Sequence, residues 1–215
     1  MWAQLTACLE HCQYCGAPLG QAGDWGCTPG FRYGDGRTIC QGCHASAIKT
    51  EAQLAAAWHH VATVFTRLGL VVNWDALPVA LLDQPVLQQE SGSPSVVGLA
   101  SSRMSLLTVQ SNISILYGMP TLWALETLGH EAGHVWCREQ RLSFSPPERE
   151  EGVCNVLAYL VLQAIPNYDT EERKQAMFAN PDPIYGGYFR EQWRELEQLG
   201  WHAYRQRLLM RAGAA

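Results

Sequence analysis

The amino-acid sequence predicts an α+β fold, in which a small cysteine-rich module precedes a larger domain with a small mixed sheet packed on several helices. Three observations support this prediction. Two C-x-x-C pairs lie near the N-terminus, short β-rich stretches occupy the middle of the chain, and apolar residues recur at helical spacing on both sides of those stretches. The 215 residues suffice for one main domain and one small module, which we place at 50–215 and 1–49.

The composition narrows the range of partners and compartments. Hydrophobic residues make up 47% of the chain, which is enough for a proper core, and the formal net charge is −5. Because no basic stripe and no apolar run of about 18 residues occurs, we expect neither a nucleic-acid partner nor a membrane span. The first residues show no signal peptide. We therefore expect a cytoplasmic monomer.

The N-terminal cysteines have the spacing of a metal site. Cys12 and Cys15 form one C-x-x-C pair, Cys40 and Cys43 form another, and 24 residues separate them. Such pairs indicate a closed tetrahedral Cys₄ zinc site, which is structural. The glycine-rich segment between the pairs has few large apolar residues, so metal binding would supply its folding free energy.

The alternative for these cysteines is a set of disulfides in a secreted domain, and the lack of a signal peptide favours zinc. Cys137 and Cys154 lie on predicted helices, where we expect buried free thiols. Four further residues near the C-x-x-C pairs receive no role: Cys8, His11, Cys27 and His44.

A second candidate metal site lies in the sequence His130-Glu131-Ala132-Gly133-His134. Histidines four residues apart share one face of a helix, where both imidazoles can bind one zinc ion. Glu131 can then take a proton from a metal-activated water. The alternative is a pair of histidines on a solvated helix face. An apolar stripe opposite the histidines favours the metal site, and it comprises Leu122, Leu125, Leu128, Ala132 and Trp136.

An acidic cluster offers the third protein ligand. It begins a long apolar helix predicted at about 148–165, where acidic residues also complement the helix dipole. We prefer Glu151 as the ligand, with Glu150 as the alternative. Asn155 lies one turn after Glu151 and could accept a hydrogen bond from the distal N–H of a zinc-bound histidine.

Apolar patterning predicts the remaining elements. We expect a helix at 51–68, a loop at 83–95, a turn at 185–188 and a final helical segment at 190–211 that is broken at Gly200. The segment 111–118 is either an exposed strand that pairs with an extended peptide or an ordinary buried strand. The predicted strands cover residues 70–74, 79–82, 96–100, 106–109 and 113–117.

Five spaced anchors carry a resemblance to a known family. They are Asp35-Gly36-Arg37 with Cys40-Gln41-Gly42-Cys43, Leu116-Tyr117-Gly118-Met119-Pro120, His130 to Trp136, Glu150-Glu151-Gly152-Val153-Cys154, and Ile184-Tyr185-Gly186. The chain resembles the LIM-peptidase family, which includes the plant organ-size regulators of the "DA-one" type, and we identify it as a bacterial-type relative. The resemblance extends from Tyr14 to about Leu209.

The resemblance implies a zinc-ribbon or LIM-like module, reduced to one clear metal site, fused to a gluzincin-type metallopeptidase domain. It implies one structural and one catalytic zinc, with His130, His134 and a glutamate of the Glu150-Glu151-Gly152 motif as ligands of the catalytic zinc. Glu131 is then the general base. Tyr185 and Tyr117 are candidates for stabilising the oxyanion, since such sites often use a further donor.

These inferences predict a zinc-dependent endopeptidase that acts on a protein or peptide substrate. Two other functions remain open. One is a zinc-binding adaptor with a vestigial peptidase site, and the other is a zinc hydrolase for a small non-peptide amide. The zinc module either binds a protein partner or only braces the peptidase domain.

Overall fold

The computed structural model describes residues 10–20, 26–104, 109–165 and 168–210. A short 3₁₀ helix (Trp74–Ala76) and a π-helical turn (Pro183–Tyr188) accompany the regular elements. The strands are β1 (Glu10–His11), β2 (Pro18–Gly20), β3 (Thr28–Arg32), β4 (Thr38–Cys40), β5 (Ala47–Ile48), β6 (Val79–Leu82), β7 (Gly98–Met104), β8 (Val109–Leu116) and β9 (Met119–Pro120). The helices are α1 (Gln41–Ala45), α2 (Glu51–Arg67), α3 (Gln84–Ser91), α4 (Thr121–Glu139), α5 (Arg149–Gln163), α6 (Tyr168–Ala179) and α7 (Phe189–Leu209).

The mixed α+β fold and the small mixed sheet are as the sequence predicts. The strand order is β6-β8-β7, with β6 parallel and β7 antiparallel to β8. Residues 113–116 of β8 pair with β6 on one side and with β7 on the other, so both edges of the strand are hydrogen-bonded there. Ser111 and Asn112 pair with β7, and the register with β6 begins at Ile113. Of the two alternatives for 111–118, the pairing of 113–116 favours an ordinary internal strand.

Helix α4 packs closely on α5 through two glycines. A Cβ at Gly129 would lie 3.1 Å from the Cα of Ala158, and one at Gly133 would lie 3.0 Å from the Cα of Cys154. The apolar face of α4 is buried at Leu128 and at three other predicted positions, Leu125, Ala132 and Trp136, while Leu122 is half-buried. This packing holds the opposite face of α4, with both histidines, against the start of α5.

The cysteine module consists of β1 to β4 and α1, and it holds the chain that leads into α4. Strand β5 pairs antiparallel with β9, and the N–H of Thr121 donates to the carbonyl of Ser46 at 2.9 Å. Arg37 Nη2 donates to the Tyr117 carbonyl at 2.8 Å, and the Tyr33 hydroxyl donates to the Gly118 carbonyl at 3.2 Å. The module is thus attached directly to the residues before α4, the helix that carries both histidines.

The helical predictions at 51–68 and 148–165 are confirmed, and Gly200 interrupts α7 with a φ of 71°. Two predictions on local structure are wrong, and one helix was not predicted. Residues 70–74 form no strand, because the chain turns there into the 3₁₀ helix and Trp74 Nε1 donates to the Leu70 carbonyl. The expected loop at 83–95 contains α3, and α6 was not expected. The strand predicted at 106–109 lies almost wholly outside the described residues.

Candidate metal centres

The two histidines and Glu151 converge on one point between α4 and α5. The Nε2 atoms of His130 and His134 lie 3.2 Å apart. Glu151 Oε2 is 3.0 Å from His130 Nε2, and Glu151 Oε1 is 3.6 Å from His134 Nε2. These three residues form a group that could hold a metal ion.

The donor set has the dimensions of a tetrahedral zinc site. Ligand atoms ~2.0–2.1 Å from a tetrahedral ion lie about 3.3 Å from one another, and the observed separations are 3.0–3.6 Å. Glu151 Oε2 is also buried, and no donor of a described residue meets it in hydrogen-bond geometry, although His130 Nε2 is near. A buried carboxylate oxygen without a donor and two imidazole nitrogens directed at each other fit a shared cation.

The far nitrogen of each imidazole has its own partner. His130 Nδ1 lies 2.8 Å from Asn155 Oδ1, and His134 Nδ1 lies 2.7 Å from Glu150 Oε1. Asn155 is fixed in turn, since its Nδ2 donates to the Tyr185 carbonyl at 2.8 Å. Such contacts set the tautomer, so that each Nδ1 carries the proton and each Nε2 is free to bind metal. This geometry favours Glu151 over Glu150 as the third ligand and gives Glu150 an orienting contact that the sequence did not reveal.

Without a metal ion, the cluster binds protons instead. Burial lowers the pKa of His134, but its hydrogen bond to Glu150 and its contact with Glu151 outweigh burial and raise this pKa to about 10. Burial raises the pKa of Glu151, yet the adjacent His130 and His134 hold it well below its usual range. A divalent cation in the cluster would therefore displace a proton from His134.

Glu131 lies on α4 between the two histidines and faces strand β7. Its side chain is buried, with 8% of the residue exposed. A Cβ built at Gly98 on β7 would lie 2.7 Å from Glu131 Oε1, so a larger residue there would have to displace the Glu131 side chain. The structure thus places the predicted general base next to the histidines and against the end of an edge strand.

The two candidate tyrosines lie in different places. Tyr185 is in the π-helical turn, and its ring centroid is 6.3 Å from that of His130. The turn can approach α5 because Gly152 has no side chain, as a Cβ there would lie 2.6 Å from the Tyr188 carbonyl. Burial, with the charges of Glu151 and other acidic neighbours, raises the pKa of Tyr185. It therefore remains a neutral donor at pH 7.

Tyr117 is not at this centre. Its ring packs at 87° to the ring of Tyr33, with centroids 6.1 Å apart, and its carbonyl accepts a hydrogen bond from Arg37. The sequence expectation that Tyr117 could stabilise an oxyanion is therefore corrected. Its place in the segment just before α4 suggested proximity, but the segment turns toward the cysteine module instead.

The four cysteines of the C-x-x-C pairs also converge, and their sulfur atoms lie within 4.8 Å of one another. Cys15 Sγ is 3.6 Å from Cys40 Sγ, near the ~3.8 Å expected between thiolates around tetrahedral zinc. The Cys43 N–H points at Cys40 Sγ at 3.4 Å. Burial raises the pKa of Cys12, but hydrogen bonds from backbone N–H groups outweigh burial and lower it to about 6. Burial and the neighbouring thiols raise the pKa values of Cys15 and Cys43, so without a metal ion the cluster favours one thiolate, at Cys12. The thiolate is the form that binds zinc.

The neighbouring residues have other surroundings. His44 stacks on Phe31 with ring centroids 3.8 Å apart, and its nitrogens lie 3.4 Å from the Tyr33 hydroxyl and the Lys49 ammonium group. His11 is exposed on β1, and Cys27 is disulfide-bonded. Cys8 lies outside the described residues. The two helical cysteines, Cys137 and Cys154, are buried free thiols as expected.

Fold and sites together define a mixed α+β protein with a cysteine cluster and a His/Glu cluster, each of which could hold a metal ion. Residues 79–182 match the family model described as "DA1-like: Protein DA1". The central region of the chain, with β6 to α6 and the His/Glu cluster, is therefore DA1-like.

Three curated plant proteins are similar to the chain. "LIM domain-containing protein HDR3" of Oryza sativa subsp. japonica is 25% identical over 166 residues, which cover 61% of this chain and 33% of that protein. "Protein DA1-related 2" of Arabidopsis thaliana is 32% identical over 109 residues, 50% of this chain and 19% of that protein. "Protein DA1-related 1" of Arabidopsis thaliana is 44% identical over 52 residues, 24% and 9% of the two chains.

The chain thus spans a third or less of the length of these relatives. No solved structure matches the chain significantly. Among the described residues, no helix is long and apolar enough to cross a membrane.

Proposed function

We propose that the chain is a zinc-dependent metallopeptidase that cleaves internal peptide bonds. The convergence of His130 Nε2, His134 Nε2 and the Glu151 carboxylate next to the buried Glu131 carries this proposal. The cysteine cluster then holds a second, structural zinc, and the LIM-domain name of one relative supports zinc as the metal.

The proposed chemistry assigns a task to each residue. A zinc ion held by His130, His134 and Glu151 would supply a Lewis acid for the scissile carbonyl and for an attacking water. Glu131 takes the proton of that water and passes it to the leaving amine. Asn155 keeps the His130 ring in its orientation, and the neutral Tyr185 hydroxyl is the nearest candidate donor to an oxyanion.

Strand β7 offers a way to bind an extended substrate beside Glu131. The Val97 carbonyl accepts from the Leu116 N–H, so in an antiparallel ladder the backbone groups of Gly98 point away from β8. At Ala100 the outer edge is covered, since Arg138 Nη1 donates to its carbonyl at 2.6 Å. The backbone groups of Gly98, next to Glu131, are therefore the proposed partners of an extended peptide, whose binding through main-chain hydrogen bonds would depend little on its side chains.

The test is cleavage of denatured casein by the zinc-loaded protein and by a Glu131→Gln variant. We expect the substitution to lower the rate by about 10²–10⁴-fold, because it removes the base but keeps the shape of the site. Glu139→Gln is the matched control, since Glu139 is exposed at the end of the same helix.

Equal cleavage by wild type and Glu131→Gln would contradict the peptidase, and no cleavage by either would favour the zinc-binding adaptor. Cleavage of small amides without any cleavage of protein would favour the small-amide hydrolase.

A further inference from the structure

Two cavities lie side by side along α6 and share Arg173 and Ala176 as lining residues. The first has a volume of about 490 Å³ and opens beside the His/Glu cluster, where Asn155 and Tyr185 line it. The second has a volume of about 610 Å³ and reaches the cysteine cluster at Cys43. Because the cavities share these two residues, they are direct neighbours between the two candidate metal centres. We treat them together as one groove, which we call the α6 groove.

Four side chains in mutual contact form the floor of the α6 groove. The rings of Tyr14 and Trp123 pack edge to face with centroids 5.3 Å apart. The Arg173 guanidinium lies 3.5 Å from the centroid of the Trp123 ring, and its Nη2 donates to Glu126 Oε1 at 2.8 Å. Glu126 precedes His130 by one turn of α4. The floor therefore leads from the cysteine module to the helical turn that carries the first histidine.

The charge and the exposed apolar surface of these side chains indicate which kind of ligand the α6 groove could bind. Arg173 and Glu126 are joined by two N–H donors, so their charges cancel and leave no free cation for a phosphate or an acidic side chain. At the cysteine-module end, Leu122, Trp123 and Tyr14 are only half-buried. A partly exposed aromatic platform of this kind binds large apolar side chains. The groove thus suits a partly apolar ligand that carries no negative charge.

The length of the groove suits a peptide. Its lining residues on α6 begin at Glu172 and extend to Ala179, about 10 Å along the axis at ~1.5 Å per residue. An extended chain rises ~3.3 Å per residue, so the groove holds on the order of three residues. One end opens at Asn155 and Tyr185, which both contact or face His130.

We propose that the α6 groove binds the substrate polypeptide itself, in extended form, on one side of the scissile bond. A large apolar side chain about three residues from that bond packs on Trp123 beside the cysteine module. This inference rests on the proposed peptidase function. It gives the cysteine module a direct part in choosing the substrate, in addition to its attachment to the start of α4.

A binding experiment tests the groove without relying on turnover. Fluorescein-labelled denatured casein is titrated with the zinc-loaded Glu131→Gln protein, alone and combined with Ala176→Trp or with Gln175→Trp. Ala176 is exposed and lines both cavities, whereas Gln175 is exposed on the same helix and lines neither. We expect Ala176→Trp to weaken binding about tenfold and Gln175→Trp to leave it unchanged. Equal affinities for the two double variants would overturn the proposal.

Kinetics separate this inference from the peptidase function. Two synthetic peptides carry a casein bond that wild type cleaves, one with two residues on each side and one with six. For each variant, kcat/KM for the long peptide is divided by kcat/KM for the short peptide. We expect Ala176→Trp to lower this ratio about tenfold, because it raises KM for the long peptide. Glu172→Trp, which adds bulk at the cysteine-module end, should lower the same ratio.

If wild type cleaves both peptides and neither variant changes the ratio, the groove proposal is wrong and the peptidase proposal stands. If wild type cleaves nothing, the peptidase proposal fails instead.

Discussion

The two candidate metal centres differ in the length of the helices and strands that carry them and in the size of the buried core around them. The four cysteines lie within residues 12–43, where Cys12 and Cys15 occupy the turn between β1 and β2, Cys40 ends β4 and Cys43 lies on the short helix α1. The module's buried apolar core is small, with Leu19, Tyr33 and Ile39 beside two of its cysteines. The histidines and Glu151 lie instead on α4 and α5, which pack together inside the main hydrophobic core.

This difference indicates which of the two centres would depend on a bound metal ion for its folding. A small module with few buried side chains gains too little from burial to offset its conformational entropy, so zinc bound to the proposed site would supply much of its folding free energy. In the other centre, α4 and α5 are fixed by packing, and Asn155 and Glu150 hold the imidazoles. We infer that the His/Glu cluster is preorganised, and that a metal there adds chemistry more than shape.

The largest effect should come from Cys40→Ser. We expect the amides of residues 10–48 to lose protection from hydrogen exchange and the melting temperature to fall by about 10 °C, or ~4 kcal/mol in a chain of this size. Peptidase activity should fall as well, because the module holds the chain before α4 through Ser46 and Arg37. Hydrogen exchange and thermal melting measure the change.

The matched variant in the other centre is His130→Ala. It should abolish zinc binding by the His/Glu cluster, yet α4, α5 and the cysteine module should keep their amide protection. If His130→Ala exposed the amides of α4 as strongly as Cys40→Ser exposes those of the module, the two centres would not differ as we infer.

The sequence was informative about the centres because metal chemistry depends on local spacing. Two histidines at i and i+4 share a helix face in any fold, and paired C-x-x-C motifs need only a closing turn. The tasks of Glu150 and Glu151 could not be separated in the same way. They depend on the rotation of α5 relative to α4, which is set by the close contacts at Gly129 and Gly133. The α6 groove also depends on tertiary packing.

The fold was predictable where periodicity is strong, as in α2 and α5, and the errors have identifiable causes. The sequence predicts a loop at 83–95 because Pro85, Gly92 and Pro94 are typical of loops, whereas the structure has α3 there. Pro85 instead lies in its first turn, and Gly92 ends it with a φ of 72°. Helix α6 is short and rich in charged residues, so its apolar pattern is weak. Strand β8 could not be placed inside the sheet from sequence, because strand order is a tertiary property.

A smaller effect is expected from Glu150→Gln, which tests the preorganisation of the His/Glu cluster. The substitution keeps the shape of the side chain but weakens the acceptor that orients His134 Nδ1. We expect zinc affinity of this centre to fall about 10–100-fold, with the fold intact. Competition with a chromophoric chelator measures the affinity, and Glu148→Gln serves as the control because Glu148 is exposed just before α5. A loss of affinity no greater than that of the control would mean that Glu150 does not orient the ligand.

The smallest effect concerns the contact between the two regions. The Tyr33 hydroxyl donates to the Gly118 carbonyl, while its ring packs on Phe31 and Tyr117. Tyr33→Phe keeps the ring packing and removes this hydrogen bond together with the 3.4 Å contact of the hydroxyl with His44 Nδ1. We expect a loss of about 1 kcal/mol, or ~3 °C in melting temperature. If the module braces α4 through this contact, amide exchange should rise in the first turn of α4 as well as in the module.

The control is Arg32→Gln, since the ion pair of Arg32 with Glu10 is exposed and such pairs add little. A rise confined to the module would show that Tyr33 stabilises only its own side of the junction, and that the brace depends on the β5–β9 pairing and Arg37 instead.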